Sequence, residues 1–128
     1  MREGDLCSAR SGDGRHVVAK ILKLEDGVVH VRVYANRYVE RPRDAADEEL
    51  HLGTVHDEEF GLGHLPLDAD AFDEWEPELI RHTGVDPEEL EGYRIWREAE
   101  DEGTGGVWGP PDERRGLIAS AKRLFQRD

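Results

Sequence analysis

The residues best suited to chemistry crowd the middle of the chain. His51, His56 and His64 lie near Asp57, Glu58 and Glu59, and Gly61-Leu62-Gly63 runs directly into His64. Imidazole with carboxylate is the donor set of zinc and iron, and a histidine beside a carboxylate makes an acid–base couple. The spacings, His-x4-His and His-x7-His, do not match the His-Glu-x-x-His pattern that puts two ligands on one helix face. His51, His56 and His64 are the metal candidates on residue type alone, and the spacing argues for no metal and no cofactor. For acid–base work His64 could pair with Asp68 or Glu59. No Gly-x-Ser-x-Gly is present, and Ser8, Ser11 and Ser120 are the chain's serines. The expectation is a chain that is not an enzyme, with His64 the catalytic residue if it is one.

Two further patterns fail on inspection. Gly61-Leu62-Gly63 opens like a dinucleotide loop, but Pro66 stands in the place of the last glycine and no P-loop lysine follows. Asp68 and Asp70 would repel a phosphate at the start of the next helix. The acidic stretch from Asp68 resembles a calcium loop, yet its sixth and twelfth positions are Asp73 and Leu79 rather than Gly and Glu.

The elements that must position these residues are legible from periodicity. Runs at 5–10, 15–24 and 28–38 read as three strands, and Asp26-Gly27 between two β-branched runs marks a tight hairpin. Val29, Val31 and Val33 take one face, while Val28, His30, Arg32 and Tyr34 take the polar outer one. Residues 50–55 read as a fourth strand, and 56–67 as a loop. Asp68 then caps a helical pattern of Phe72, Trp75, Leu79 and Ile80, kinked or divided into two short helices near Trp75 to Pro77. Asp86, Pro87 and Glu89 form a capping box that opens a helix with Leu90, Tyr93, Trp96 and Ala99 on its buried stripe. After a breaker-rich linker at 100–111, residues 112–128 read as an amphipathic helix with Leu117, Ile118, Ala121, Leu124 and Phe125 on one face. The predicted fold is α+β. An N-terminal antiparallel curled sheet or partial SH3-like barrel (1–55 the β-rich part) is followed by two or three packing helices (68–99 and 112–128), all in a single domain over 1–128.

Charge bounds the partners. The 128 residues carry a net charge of −13, which repels nucleic acid and anionic membranes and attracts basic protein surfaces. Residues 112–128 carry five bases and three acids, a charge of +2, which leaves −15 for the rest. This segment is a candidate contact, with its own domain, with another subunit or with a partner. The basic residues are 14 Arg and 3 Lys, a balance that equally fits a high-GC or saline background. Cys7, the chain's one cysteine, forms no internal disulfide, and the opening residues carry no apolar leader core, so a reducing cytoplasm is expected. The expected function is non-catalytic: an acidic binding or accessory protein that masks a basic partner, as immunity proteins and antitoxins do.

The stretch GDLCSARSGDGRHVVAKILKLEDGVVHVRVYANRY resembles the opening hairpins of an SH3-like or Tudor-type barrel. That resemblance implies an aromatic cage for a cationic ligand, with Tyr34 and Tyr38 as two walls acting through cation–π attraction. Arg15 and His16 stand where the family usually has Trp or Tyr. The chain as a whole also resembles a group of small bacterial proteins of uncharacterised activity.

Overall fold

Three strands joined by glycine turns form the centre of the sheet, the second and third of them rich in Val and Ile. The structure, a computed structural model, describes residues 1–53, 56, 61–101 and 107. Its strands are β1 (Asp5–Arg10), β2 (His16–Glu25), β3 (Val28–Val33), β4 (Leu62–Asp68) and β5 (Glu78–His82). They form one antiparallel sheet in the order β4-β3-β2-β1-β5, not closed into a barrel. The helices are α1 (Ala69–Asp73) and α2 (Glu91–Asp101), the latter entered through a 3-10 turn at Pro87–Leu90. The layout is α+β, as the sequence predicts. No helix among the described residues is long and apolar enough to cross a membrane.

The hairpin at Asp26-Gly27 has positive φ at both central residues, 53° and 77°, the two-residue turn that matches strand twist. Val29, Val31 and Val33 enter one apolar cluster with Val17, Ile21 and Leu65. In β2 the register shifts between Ile21 and Lys23, so Leu22 is the extra residue of a bulge. The shift reverses the alternation, so Leu24 pairs with Val29 and shares its face.

Four sequence expectations are corrected. Residues 50–53 are not strand, because the Asn36 side chain engages the His51 N–H and the Glu49 carbonyl and holds this segment as a strap. From Leu62 onward the predicted loop at 56–67 is strand, since β4 spans Leu62–Asp68. Leu65 and Leu67 pair with Val31 and Val29, and Pro66 is tolerated because β4 is an edge strand whose outward positions need no N–H. The helical pattern at Phe72–Ile80 splits. Glu76 takes a positive φ of 52° before Pro77, α1 ends at Asp73, and residues 78–82 become β5 on the open edge of β1. A five-residue helix gains little by itself, whereas a free strand edge satisfies backbone groups at once. Finally, the third strand stops at Val33, and Tyr38 makes only an isolated bridge to His16. Residues 112–128, with the amphipathic pattern, lie outside the described residues.

Candidate functional site

His30 belongs to the face of β3 that the sequence assigns to solvent, yet it is 0% exposed. The cover is α2. Its stripe places Tyr93 and Trp96 edge-on to the His30 ring, with centroids 4.8 and 4.6 Å away. His64 comes from β4, where the register against β3 shifts between Val31 and Val33. Its ring lies nearly parallel to that of His30, at 12°, with the centroids 5.0 Å apart. His30 Nδ1 and His64 Nε2 share a hydrogen bond of 2.8 Å. Close approach of α2 requires Gly92, since a Cβ there would sit 2.6 Å from the His64 Cβ.

The proton in this bond can be placed. His30 Nε2 is buried without a partner. A stranded N–H is rarer in proteins than a stranded acceptor, so His30 donates through Nδ1–H and His64 accepts through Nε2. Burial pushes both imidazoles down to about 4, with His30 adding to the effect on His64. The pair is therefore neutral near pH 7. A base of that strength takes few protons from a substrate, so the arrangement is suited to holding α2 on the sheet rather than to acid–base catalysis.

A charged girdle surrounds it. Tyr93 donates its hydroxyl hydrogen bond to the Glu25 carboxylate, which lowers the Glu25 pKa, and Arg97 lies 3.3 Å from the same group. Lys23 stands 5.8 Å over the Tyr93 ring. Lys20, almost fully buried, donates to Glu89 at 2.8 Å, and Arg32 approaches Glu89 at 3.6 Å. Glu89 also accepts from the Asp86 N–H at 2.9 Å in the capping box. One carboxylate thus both starts the helix and neutralises a buried lysine. Burial raises its pKa, and the Asp86 amide and Lys20 outweigh that to leave it lowered.

Among the described residues, no other sequence candidate forms a metal cluster with His64. His51 is exposed and engages its neighbours through its backbone: its carbonyl accepts from Ala35 and its N–H donates to Asn36. His56 is exposed, and Asp57, Glu58 and Glu59 lie outside the described residues. Among the described residues no three His, Cys, Asp or Glu side chains come together as a metal site needs. Asp68 accepts from the Asp70 N–H as the cap of α1. Tyr34 and Tyr38 pack against the second apolar cluster, of Leu6, Val18 and Ala45, and burial raises the Tyr38 pKa. Of the two glycines before His64, Gly61 is required, because a Cβ would lie 2.1 Å from the Val33 carbonyl oxygen, whereas Gly63 faces open space apart from Leu52 at 4.0 Å. Cys7 is buried in the core, and that burial pushes its thiol up to about 12, an inert group.

Two features escape sequence reasoning. One is an Asp5–His82 couple, with Nδ1 to Oδ1 at 2.9 Å, which ties β1 to β5. Burial raises the Asp5 pKa, but the Arg2 N–H and His82 outweigh it and hold the carboxyl lowered. These residues are 77 positions apart, and no local pattern joins them. The other is a cleft of about 480 Å³ at the hairpin end of the sheet. Ile21, Leu24, Val29 and Phe72 form its floor, and Asp73 and Glu76 stand on its rim. The exposed Leu24 is its one sequence signal, since a lone apolar residue out of phase in a strand marks a bulge. No family model matches the chain, and no curated protein or solved structure is similar to it at a significant level.

Proposed function

We propose that this chain is a non-catalytic binding protein that holds a basic protein surface, masking it as immunity proteins and antitoxins do, in a reducing cytoplasm. The observation that carries the reading is the cleft and its charge. Residues 68–78 contain six acids and no base, and they run along α1 to the cleft rim. Arg10 and Arg41 offset two of these acids, Glu76 and Glu78, from outside the run. An apolar floor beside excess negative charge suits a partner with an apolar anchor flanked by Arg or Lys. The charge would steer the encounter, and the floor would supply the affinity. The His64-centred hydrolase finds less support, because His64 spends its Nε2 on His30.

Capture at about 0.05 M and about 1 M salt tests it, since the screening length falls from roughly a domain's radius to one bond contact over that range. The wild-type chain should retain a basic protein at low salt. High salt should release it, and so should the variant Asp70→Asn with Asp73→Asn. If nothing basic is retained at low salt, or retention ignores both salt and the variant, the reading is wrong.

A further inference from the structure

We infer that the cleft is a docking site for the chain's own residues 112–128, so that a partner must displace this segment to bind. The inference rests on the cleft being the binding surface proposed above, and it names what regulates that surface.

The chain leaves the described fold at Asp101, the last residue of α2. Arg97 pairs with Asp101 at 3.8 Å and with Glu25 at 3.3 Å, so the end of α2 lies beside the hairpin end of β2. Glu25 follows Leu24, a cleft residue, and the Gly27 carbonyl accepts from the Ala69 N–H, another cleft residue. The end of α2 and the cleft thus flank one end of the sheet from its two sides. Ten residues separate Asp101 from Asp112. Extended, they reach up to about 35 Å. Passing from one packed layer to the other needs about 10–20 Å. The linker is long enough to turn the sheet end without being stretched.

The segment carries Leu117, Ile118, Ala121, Leu124 and Phe125 at helical spacing, with Arg114, Arg115, Lys122, Arg123 and Arg127 around them. That is the pattern an apolar floor with an acidic rim accepts. Its charge of +2 faces −15 on the rest of the chain. A short tether presents the segment at an effective millimolar level, so even a weak contact in cis is populated. An outside ligand competes against that occupancy and binds more weakly by the same factor.

The full-length chain tests this. Ser120→Cys places a label beside the apolar face without interrupting it, and the buried Cys7 stays unlabelled. With a nitroxide on this position, the methyl signals of Ile21, Leu24 and Val29 should broaden, while those of Leu79 and Ile95 should not. Adding Leu124→Asp and Phe125→Asp should restore the cleft signals. Unaffected cleft methyls, or broadening centred on Leu79 or Ile95, overturn the inference. So does broadening that appears only between differently labelled molecules, which would assign the cleft to a second copy. These measurements need no partner. Failed capture by the variant Leu124→Asp with Phe125→Asp, whose tail no longer competes, removes the proposed function, and an undocked tail with salt-sensitive capture removes this inference alone.

Discussion

Lowering the pH from about 7 to about 4.5 perturbs the His30–His64 pair while leaving most carboxylates ionised. In the fold His30 titrates near 4 instead of its ordinary 6.5, because burial disfavours its charged form. The neutral ring is therefore favoured by folding, and the unfolded chain takes up the proton first. Stability from this group is complete above 6.5 and is lost as pH falls from 6.5 towards 4. Integrating between those values to pH 4.5 gives a loss of about 2–3 kcal/mol for one proton. His64 is shifted in the same direction, but it is partly exposed, and a first proton on either ring repels a second. One proton is thus the right count for the pair. Lys23 and Glu25 on β2, Tyr93 and Trp96 on α2 and His64 on β4 are the neighbours that meet the incoming charge, with Arg97 behind Glu25. Asp5, Glu25 and Glu89 have lowered pKa values. Their stabilisation is present above the unfolded values and vanishes only below about 4.5, outside this window. Urea unfolding followed by tryptophan fluorescence is the assay. The midpoint should fall by about 1–2 M between pH 6.5 and 4.5, given the usual dependence of stability on urea. The double variant His30→Leu with His64→Leu replaces both bonded partners with apolar groups and should flatten this slope. A wild-type midpoint that stays level, or a double variant that keeps the slope, refutes the reasoning.

Other perturbations have equally defined outcomes. Gly61→Ala drives a Cβ to 2.1 Å from the Val33 carbonyl and must shift backbone, so it should cost about 2 kcal/mol or more, whereas Gly63→Ala should stay within about 0.5 kcal/mol by thermal unfolding. Glu89→Ala removes the capping-box carboxylate and leaves Lys20 buried without its closest counter-charge, so it should destabilise by about 3 kcal/mol and loosen α2, read as faster amide exchange there. Gly92→Ala improves intrinsic helix propensity by about 1 kcal/mol, yet it should still lower stability and shift the Trp96 emission, because the new methyl meets the His64 Cβ at 2.6 Å.

Much of the fold was legible where the physics is local. The Asp26-Gly27 hairpin, the valine alternation of β3 and the capping box at Asp86–Glu89 each follow from preferences of a few neighbouring residues, and each is found in place. The errors share one cause. Residues 62–67 read as loop because Pro66 and the glycines at 61 and 63 suppress strand propensity, but an edge strand needs fewer donors and the unpaired side of β3 supplied a partner. Leu79 and Ile80 matched a helical period and became strand because β1 offered an open edge. Leu79 remains 58% exposed there, so the apparent stripe was not a buried one.

The candidate site shows the same division more sharply. Sequence singled out His64 and, among the described residues, offered it Asp68, His51 and His56 by proximity along the chain, none of which is its hydrogen-bond partner. The actual partner, His30, lies 34 residues away and looked like a solvent-facing strand position. Alternation reports which residues share a face of a sheet, but it does not say whether that face is covered. By itself the sequence determined the charge, the hairpins, the helix start at Asp86 and the apolar and basic pattern of 112–128, because each depends on composition or on contacts a few residues apart. Only the tertiary structure decided that α2 covers the outer face of β3, that two histidines meet beneath it as a neutral pair, and that a bulge at Leu22 opens an acid-rimmed cleft. Those outcomes depend on register and on packing between distant segments, which no local preference encodes.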